Sequence, residues 1–206
     1  MIKPWREKFI LGVTGSIASG KSTVCKFLES FGGILVSADV IAHSFLEKNS
    51  PIFDDLLQTF GKDILDIEGK IDRKKLGTKV FKNKPLLDKL NSITHPKIRQ
   101  KTVDIFHSIK KGIIIWEAPL LFEAKGEILC NAILCVFTEE SEQILRLKKR
   151  DNLTEEESKI RIQSQWNIKD KLKRSDFIIE NNFDLKSLEE KCSYIIEKIR
   201  MNELNP

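Results

Sequence analysis

The sequence predicts an α/β domain: a five-stranded parallel sheet covered by helices, with a helical insertion. Three observations predict it. Five short apolar runs alternate with stretches of helical spacing, a glycine-rich turn GSIASGKST separates the first run from the first helix, and residues 41–111 show helical patterns without a convincing strand-like run.

Taken in order, residues 1–8 form an N-terminal extension, and FILGVT (9–14), bounded by Gly15, is a buried strand. VCKFLESF after GKST has helical spacing and stops at Gly32-Gly33, and ILVS (34–37) is a second buried strand. A strand, helix and strand in this order make a parallel pair, whose sheet is covered on both faces. From about Ala38 to Lys110 the chain is helical and more polar, with Ser50-Pro51 and Asp72 as helix starts. Pro96 is expected to interrupt the long pattern that begins at Lys84, because proline has no N–H to donate. GIIIWE (112–117), AILCVF (132–137) and DFIIE (176–180) supply three more strands. Helices run from Thr138 to about Arg150 and from Thr154, where Thr154 and Glu157 form a capping box, and Asp184 opens a closing helix. The core is thus 9–40 with 112–206 and the insertion 41–111.

The 206 residues, 41% hydrophobic and 32% charged, exclude disordered, collagen-like and fibrous classes. Lys and Arg exceed Asp and Glu by 35 to 30, and the whole excess lies between Leu145 and Arg174, which holds ten basic and five acidic residues. A local excess on one helical segment points to small phosphate-bearing substrates rather than nucleic acid or membrane, since aromatic residues are not interleaved with it. Cys25, Cys130, Cys135 and Cys192 show no C-x-x-C pair or zinc-ligand spacing and read as buried free thiols of a reducing cytoplasm. Lys3, Arg6 and Lys8 before FILGV imitate a signal peptide, but the small residues that follow belong to the glycine-rich turn, and no run approaches a membrane span. The expectation is a soluble cytoplasmic protein, a monomer or weak homo-oligomer.

Gly15, Ser16, Ile17, Ala18, Ser19, Gly20, Lys21 and Ser22 match G-x-x-x-x-G-K-[ST], between a strand and a helix as that pattern requires. Its glycines let backbone N–H groups turn inward around a phosphate, Lys21 reaches the β and γ phosphates, and Ser22 offers an oxygen to Mg²⁺. Two guanine-nucleotide look-alikes fail: Asp66-Ile67-Glu68-Gly69 lacks a strand before it, and Asn83-Lys84-Pro85-Leu86 has leucine where a carboxylate would read the base. Asp39, just past the second strand, stands where open sheets bind ligands and can take a proton from an attacking hydroxyl; the same place suits a helix N-cap. Glu117, ending GIIIWE, suits either a Mg²⁺-orienting carboxylate or a solvent-facing strand end. Arg146 and Arg150, four apart on one helix, suit transferring phosphoryl oxygens or a solvated face.

Read together, GSIASGKST, SADVIA, ITHPKIR, EAPLLFE, LKKRDNLT, RIQSQW and SDFIIENN resemble the dephospho-CoA kinase family from about Ile10 to Asn182. That resemblance implies a P-loop kinase fold and transfer of the γ-phosphate of ATP, with Mg²⁺, to the ribose 3′-hydroxyl of dephospho-CoA, the last step of coenzyme A synthesis. It implies that the insertion is the CoA domain and that about 145–170 is a helical lid on the core. It makes Asp39 the catalytic carboxylate beside Lys21 and Arg150, and assigns the loop from Gly15 to Thr23, Arg146 and Asn181 to ATP. Thr14, Asp39, His95, Arg99, Pro119 and Leu120 fall to the acceptor and Ser22 to the metal; a helix break with a capping histidine is the other reading of THPKIR. The chain departs from the family at Ser37, where Asp is usual, at His43, where Arg is common, and at Ser16 and Ala18, where glycines are usual. The alternatives are a kinase for a nucleoside, nucleotide or other small acceptor, and a nucleotide-dependent nucleic-acid binder.

Overall fold

The apolar run after Lys8 forms β1 (Lys8–Gly15) at the centre of a parallel sheet. The computed structural model describes residues 7–81, 83–182 and 184–203. The other strands are β2 (Ile34–Ser37), β3 (Gly112–Glu117), β4 (Ala132–Phe137) and β5 (Phe177–Glu180), in the spatial order β2-β3-β1-β4-β5. β1 pairs with β3 from Lys8 opposite Gly112 to Val13 opposite Glu117, and with β4 from Leu11 opposite Ala132 to Gly15 opposite Val136. The predicted limits of β2, β3 and β4 coincide with those observed; β3 and β4 are buried almost throughout, so each shows no polar alternation and ends where its apolar run ends. β5 begins one residue later than expected, and Asp176 instead accepts a hydrogen bond from the Ile133 N–H through Oδ2 at 2.8 Å.

Side chains two apart point to one face, and they sort the core. Leu11, Val13, Ile113, Ile115, Leu134 and Val136 pack with Val24, Cys25 and Leu28 of α1 (Lys21–Ser30) and with Leu188, Cys192, Ile195, Ile196 and Ile199 of α9 (Leu185–Glu203). Each such fully buried aliphatic side chain contributes roughly 1.5–3 kcal/mol of transfer free energy. On the other face Gly12 lies so close to Cys130 and Leu121 that a Cβ there would stand 2.6 Å from Cys130 Sγ.

The described chain packs as two units, one made of residues up to Ser37 and from Ser108 on, the other of Ala38–His107. In the second unit, α2 (Ala38–Ser44), α3 (Phe53–Phe60), α4 (Arg73–Phe81) and α5 (Lys84–Ser108) follow one another, with Leu56, Phe60, Ile64, Ile71, Leu76 and Val80 buried. Asp72 opens α4, its Oδ1 accepting from the N–H groups of Lys74 and Lys75. Ser50-Pro51 stands in the turn before α3, which starts at Phe53. The expected break at Pro96 does not occur: α5 is continuous over 25 residues with Pro96 inside it. A proline in a helix interior costs about 3 kcal/mol, which the remaining hydrogen bonds and packing of so long an element offset. The Asp66–Gly69 look-alike is a turn closed by the Leu65–Ile71 bridge, with Asp66 Oδ1 taking the N–H groups of Glu68 and Lys70.

Between β4 and β5 lie α6 (Glu140–Asp151), α7 (Glu155–Gln163) and α8 (Ile168–Lys173). The capping box at Thr154 and Glu157 is present, whereas α8, capped by Asn167, is an element the periodicity did not separate. All four cysteines are buried and none forms a disulfide. Burial pushes the Cys135 thiol up to about 11 and the Cys192 thiol to about 12, and raises Cys25 further still. The native protein is therefore expected to react negligibly with DTNB at pH 8 and the unfolded protein at all four thiols; a fast native phase would show an accessible thiolate.

Candidate active site

The glycine-rich turn leaves the carboxyl end of β1 and returns as the first turn of α1. Gly15 (φ 145°) lies against β4, where a Cβ would stand 1.8 Å from the Val136 carbonyl oxygen, and the Ser16 N–H donates to that oxygen at 3.2 Å. Gly20 (φ 86°) caps α1, whose first turn holds no acidic residue, so its backbone N–H groups keep their partial positive charge. Ala18 (φ 57°) is left-handed without being glycine, which costs about 1–2 kcal/mol and needs outside support. Lys21 is buried and folds back on the loop, its Nζ donating to the Ser16 carbonyl at 2.6 Å. The hydroxyls of Ser16 and Ser19 are buried without a hydrogen-bond partner, a state uncommon unless a polar group comes to meet them.

Two side chains hold the loop from outside. Asn181, just past β5, donates from Nδ2 to the Ser19 carbonyl at 2.7 Å, and Arg146 of α6 donates from Nη1 to the Ala18 carbonyl at 3.2 Å. Carbonyls tied outward leave the N–H groups facing the concavity, the arrangement an anion needs. Arg146 also bonds the Asn181 carbonyl and Glu142. Arg150 is elsewhere: its Nε and Nη2 engage Asp151, which Arg161 also bonds.

Glu117 ends β3, is nine-tenths buried, and accepts from Ser22 Oγ through Oε1 at 2.7 Å. Ser37, at the end of β2, stands opposite Glu117 in the register. One residue further in β1, Thr14 is fully buried and its Oγ1 donates to the Pro119 carbonyl at 3.2 Å, which brings the predicted acceptor residues Thr14 and Pro119 together, with Leu120 next in chain. The second unit holds the rest. Asp39 is exposed in the first turn of α2, and His95 and Arg99 lie four apart on α5. His43, one turn after Asp39, is held below the ordinary histidine range by burial first and by the Arg73 charge second, with Asp39 opposing.

The dephospho-CoA kinase family model (CoaE) matches residues 9–187. The chain belongs to the dephospho-CoA kinase family. It is 40% identical over 188 residues to a dephospho-CoA kinase of Leptospira interrogans, covering 91% of each chain. It is 41% identical over 195 residues to one from Carboxydothermus hydrogenoformans, covering 92% and 93%. The solved dephospho-CoA kinase from Campylobacter jejuni superposes with a TM-score of 0.61 at 36% identity over 93% of this chain and 97% of that one. TT1252 from Thermus thermophilus gives 0.78 at 28% identity, covering 94% and 98%. A shikimate kinase from Acinetobacter baumannii, 16% identical with a TM-score of 0.52, shares the fold alone. The protein is accordingly a kinase with a nucleotide-binding P-loop fold.

The residue order gives Asn181 no visible contact and marks Lys171 only as one more cation, because its pairing with Glu123 spans 48 residues and leaves no local signal. Asn181→Ala is expected to speed amide exchange across residues 16–21 about fivefold, the equivalent of a hydrogen bond near 1 kcal/mol. Unchanged exchange, measured by mass spectrometry, would mean that the loop is held by its own turns. His43 is expected to titrate below 6.5 by NMR. Because folding favours its neutral ring, that contribution to stability is present above 6.5 and is lost as pH falls through the lowered value. A midpoint at or above 6.5 would contradict the burial.

Proposed function

We propose that this kinase transfers the γ-phosphoryl group of ATP to the ribose 3′-hydroxyl of dephospho-CoA, giving coenzyme A and ADP. The observation behind the proposal is the phosphate loop, braced from outside by Arg146 and Asn181, in a chain that matches the family over residues 9–187.

The loop amides from Gly15 to Thr23 and Lys21 are the groups to hold the β and γ phosphates. Ser22 Oγ and Glu117 Oε1 are oxygen donors 2.7 Å apart at the two element ends beside that loop, and they suit Mg²⁺, which takes one or two protein oxygens and completes its shell with phosphate and water. Among the described residues no group of three or more His, Cys, Asp or Glu is arranged as a metal cage. When bound, Mg²⁺ neutralises charge on the phosphate oxygens. Asp39, two residues past the end of β2, is the proposed acceptor of the ribose proton. Arg150 acts on the transferring oxygens by exchanging the Asp151 carboxylate for phosphate, a trade of one bidentate partner for another. Thr14, Pro119, Leu120, His95 and Arg99 are the residues proposed for the acceptor. Four cysteines outside any disulfide suit a reducing, cytoplasmic setting.

The test is ADP release with dephospho-CoA, adenosine, AMP and shikimate as acceptors. Turnover is expected with dephospho-CoA; turnover on another acceptor with none on dephospho-CoA would overturn the substrate. Asp39→Asn is expected to keep ATP affinity and lose about a hundredfold or more of kcat, the usual worth of a general base. An unchanged kcat would remove Asp39 from proton transfer.

A further inference from the structure

Counted by sequence, Lys171 is one more cation of the lid segment; in the structure its side chain is fully buried, at 0% exposure. An ammonium is rarely taken out of water unless its protons find partners. Nζ of Lys171 lies 2.8 Å from Glu123 Oε1 and donates to the Pro119 carbonyl at 3.1 Å. That carbonyl is the one Thr14 Oγ1 already bonds, and Glu123 Oε1 takes a second donor, the Trp166 N–H, at 2.9 Å.

One cation and one carboxylate therefore join four pieces of chain: the end of β1, the loop after β3, the turn before α8, and α8 itself. The loop so held is short. Glu117, bonded to Ser22, precedes Pro119 by two residues, and between them the Ala118 N–H donates to the Val13 carbonyl at 2.9 Å. The turn before α8 is attached twice, because the Trp166 ring stacks on Phe122 with centroids 6.0 Å apart and planes 8° from parallel, and Arg174 lies over both rings. Packing alone would not call for a charged pair at this place, since an apolar pair of equal volume is often as stable or more so. What a charged pair adds is direction: it fixes where one carbonyl and one N–H point.

We infer that Lys171 and Glu123 are a positioning pair for phosphoryl transfer. They hold the backbone from Glu117 to Leu120, with the Ser22 partner at one end and the proposed acceptor residues Pro119 and Leu120 at the other, and they tie that backbone to the base of the lid segment at Trp166. The other polar partners of both side chains lie in the loop after β3 and the turn before α8, so their effect falls on turnover and on the acceptor, and not on ATP binding. The inference rests on the kinase reading above, but not on which acceptor is used.

The experiment compares the parent chain with Lys171→Met, Lys171→Arg, Glu123→Gln and the double variant Lys171→Met/Glu123→Gln. ADP release is measured with the acceptor that the parent turns over, together with affinity for a non-hydrolysable ATP analogue and the thermal midpoint. Lys171→Met is expected to lower kcat about ten- to a hundredfold, the size of a small misplacement of reacting groups, with ATP-analogue affinity within about twofold of the parent. Glu123→Gln, which keeps an acceptor for Trp166, is expected to lose less, and Lys171→Arg to recover part of the Lys171→Met loss. The double variant is expected to be no slower than Lys171→Met, because groups acting as a unit are not additive. A fall in thermal midpoint with kcat unchanged in Lys171→Met and Glu123→Gln would reduce the pair to a structural role, and an equal loss of ATP affinity would place its effect on the loop; either overturns the inference. If Lys171→Met does not fold, Glu123→Gln decides by the same kcat criterion. A parent inactive on dephospho-CoA but active on another acceptor would defeat the substrate reading and leave this test intact.

Discussion

The close approach of the Gly15 backbone to Val136 is the constraint on which the site depends. β1 is paired with β3 up to Val13 and with β4 up to Gly15, so the turn that follows is launched from a fixed point. A side chain at Gly15 has no room against the Val136 carbonyl, and that carbonyl takes the Ser16 N–H as its partner. Everything placed around the loop inherits this origin. Lys21 folds back on Ser16, Ser22 reaches Glu117 at the neighbouring strand end, and Asn181 and Arg146 hold the outer carbonyls. Ala18 can be left-handed without glycine because the contacts on either side of it determine its backbone.

The charge of the chain looks different once it is folded. The excess of five cations lies on residues 145–174, yet many of those cations are already engaged: Lys159 with Glu155, Arg150 and Arg161 with Asp151, Arg146 with Glu142 and the Ala18 and Asn181 carbonyls, and Lys171 with Glu123. The exposed pairs are worth little each, about 0–1 kcal/mol, and can be exchanged for a phosphate at small cost. The buried one cannot, since removing either partner strands a charge, a penalty of roughly 3–5 kcal/mol. The same segment thus contains mobile counter-charge and one fixed strut, and only burial tells them apart.

Much of the fold was legible in residue order. Strands buried on both faces are continuous apolar runs, and three of five coincide with the predicted limits; the capping box at Thr154 and the cap at Asp72 were equally readable, since they are contacts within a single turn. α5 was misread at Pro96 because a proline rule concerns one missing bond, while the continuity of a helix depends on its whole length. α8 was missed because six residues do not establish a period.

By itself the sequence determined the strands, the phosphate loop with its lysine, and the family, since each is written in neighbouring residues or in motifs kept in order. The tertiary structure alone decided which distant groups meet: Ser22 with Glu117 across 95 residues, Asn181 with Ser19 across 162, and Lys171 with Glu123 and Pro119. The reason is physical. Short-range spacing sets hydrogen bonds within a turn or strand, whereas the partner of a buried polar group is chosen by the sheet order, and a parallel sheet places side by side strands that lie far apart in the chain.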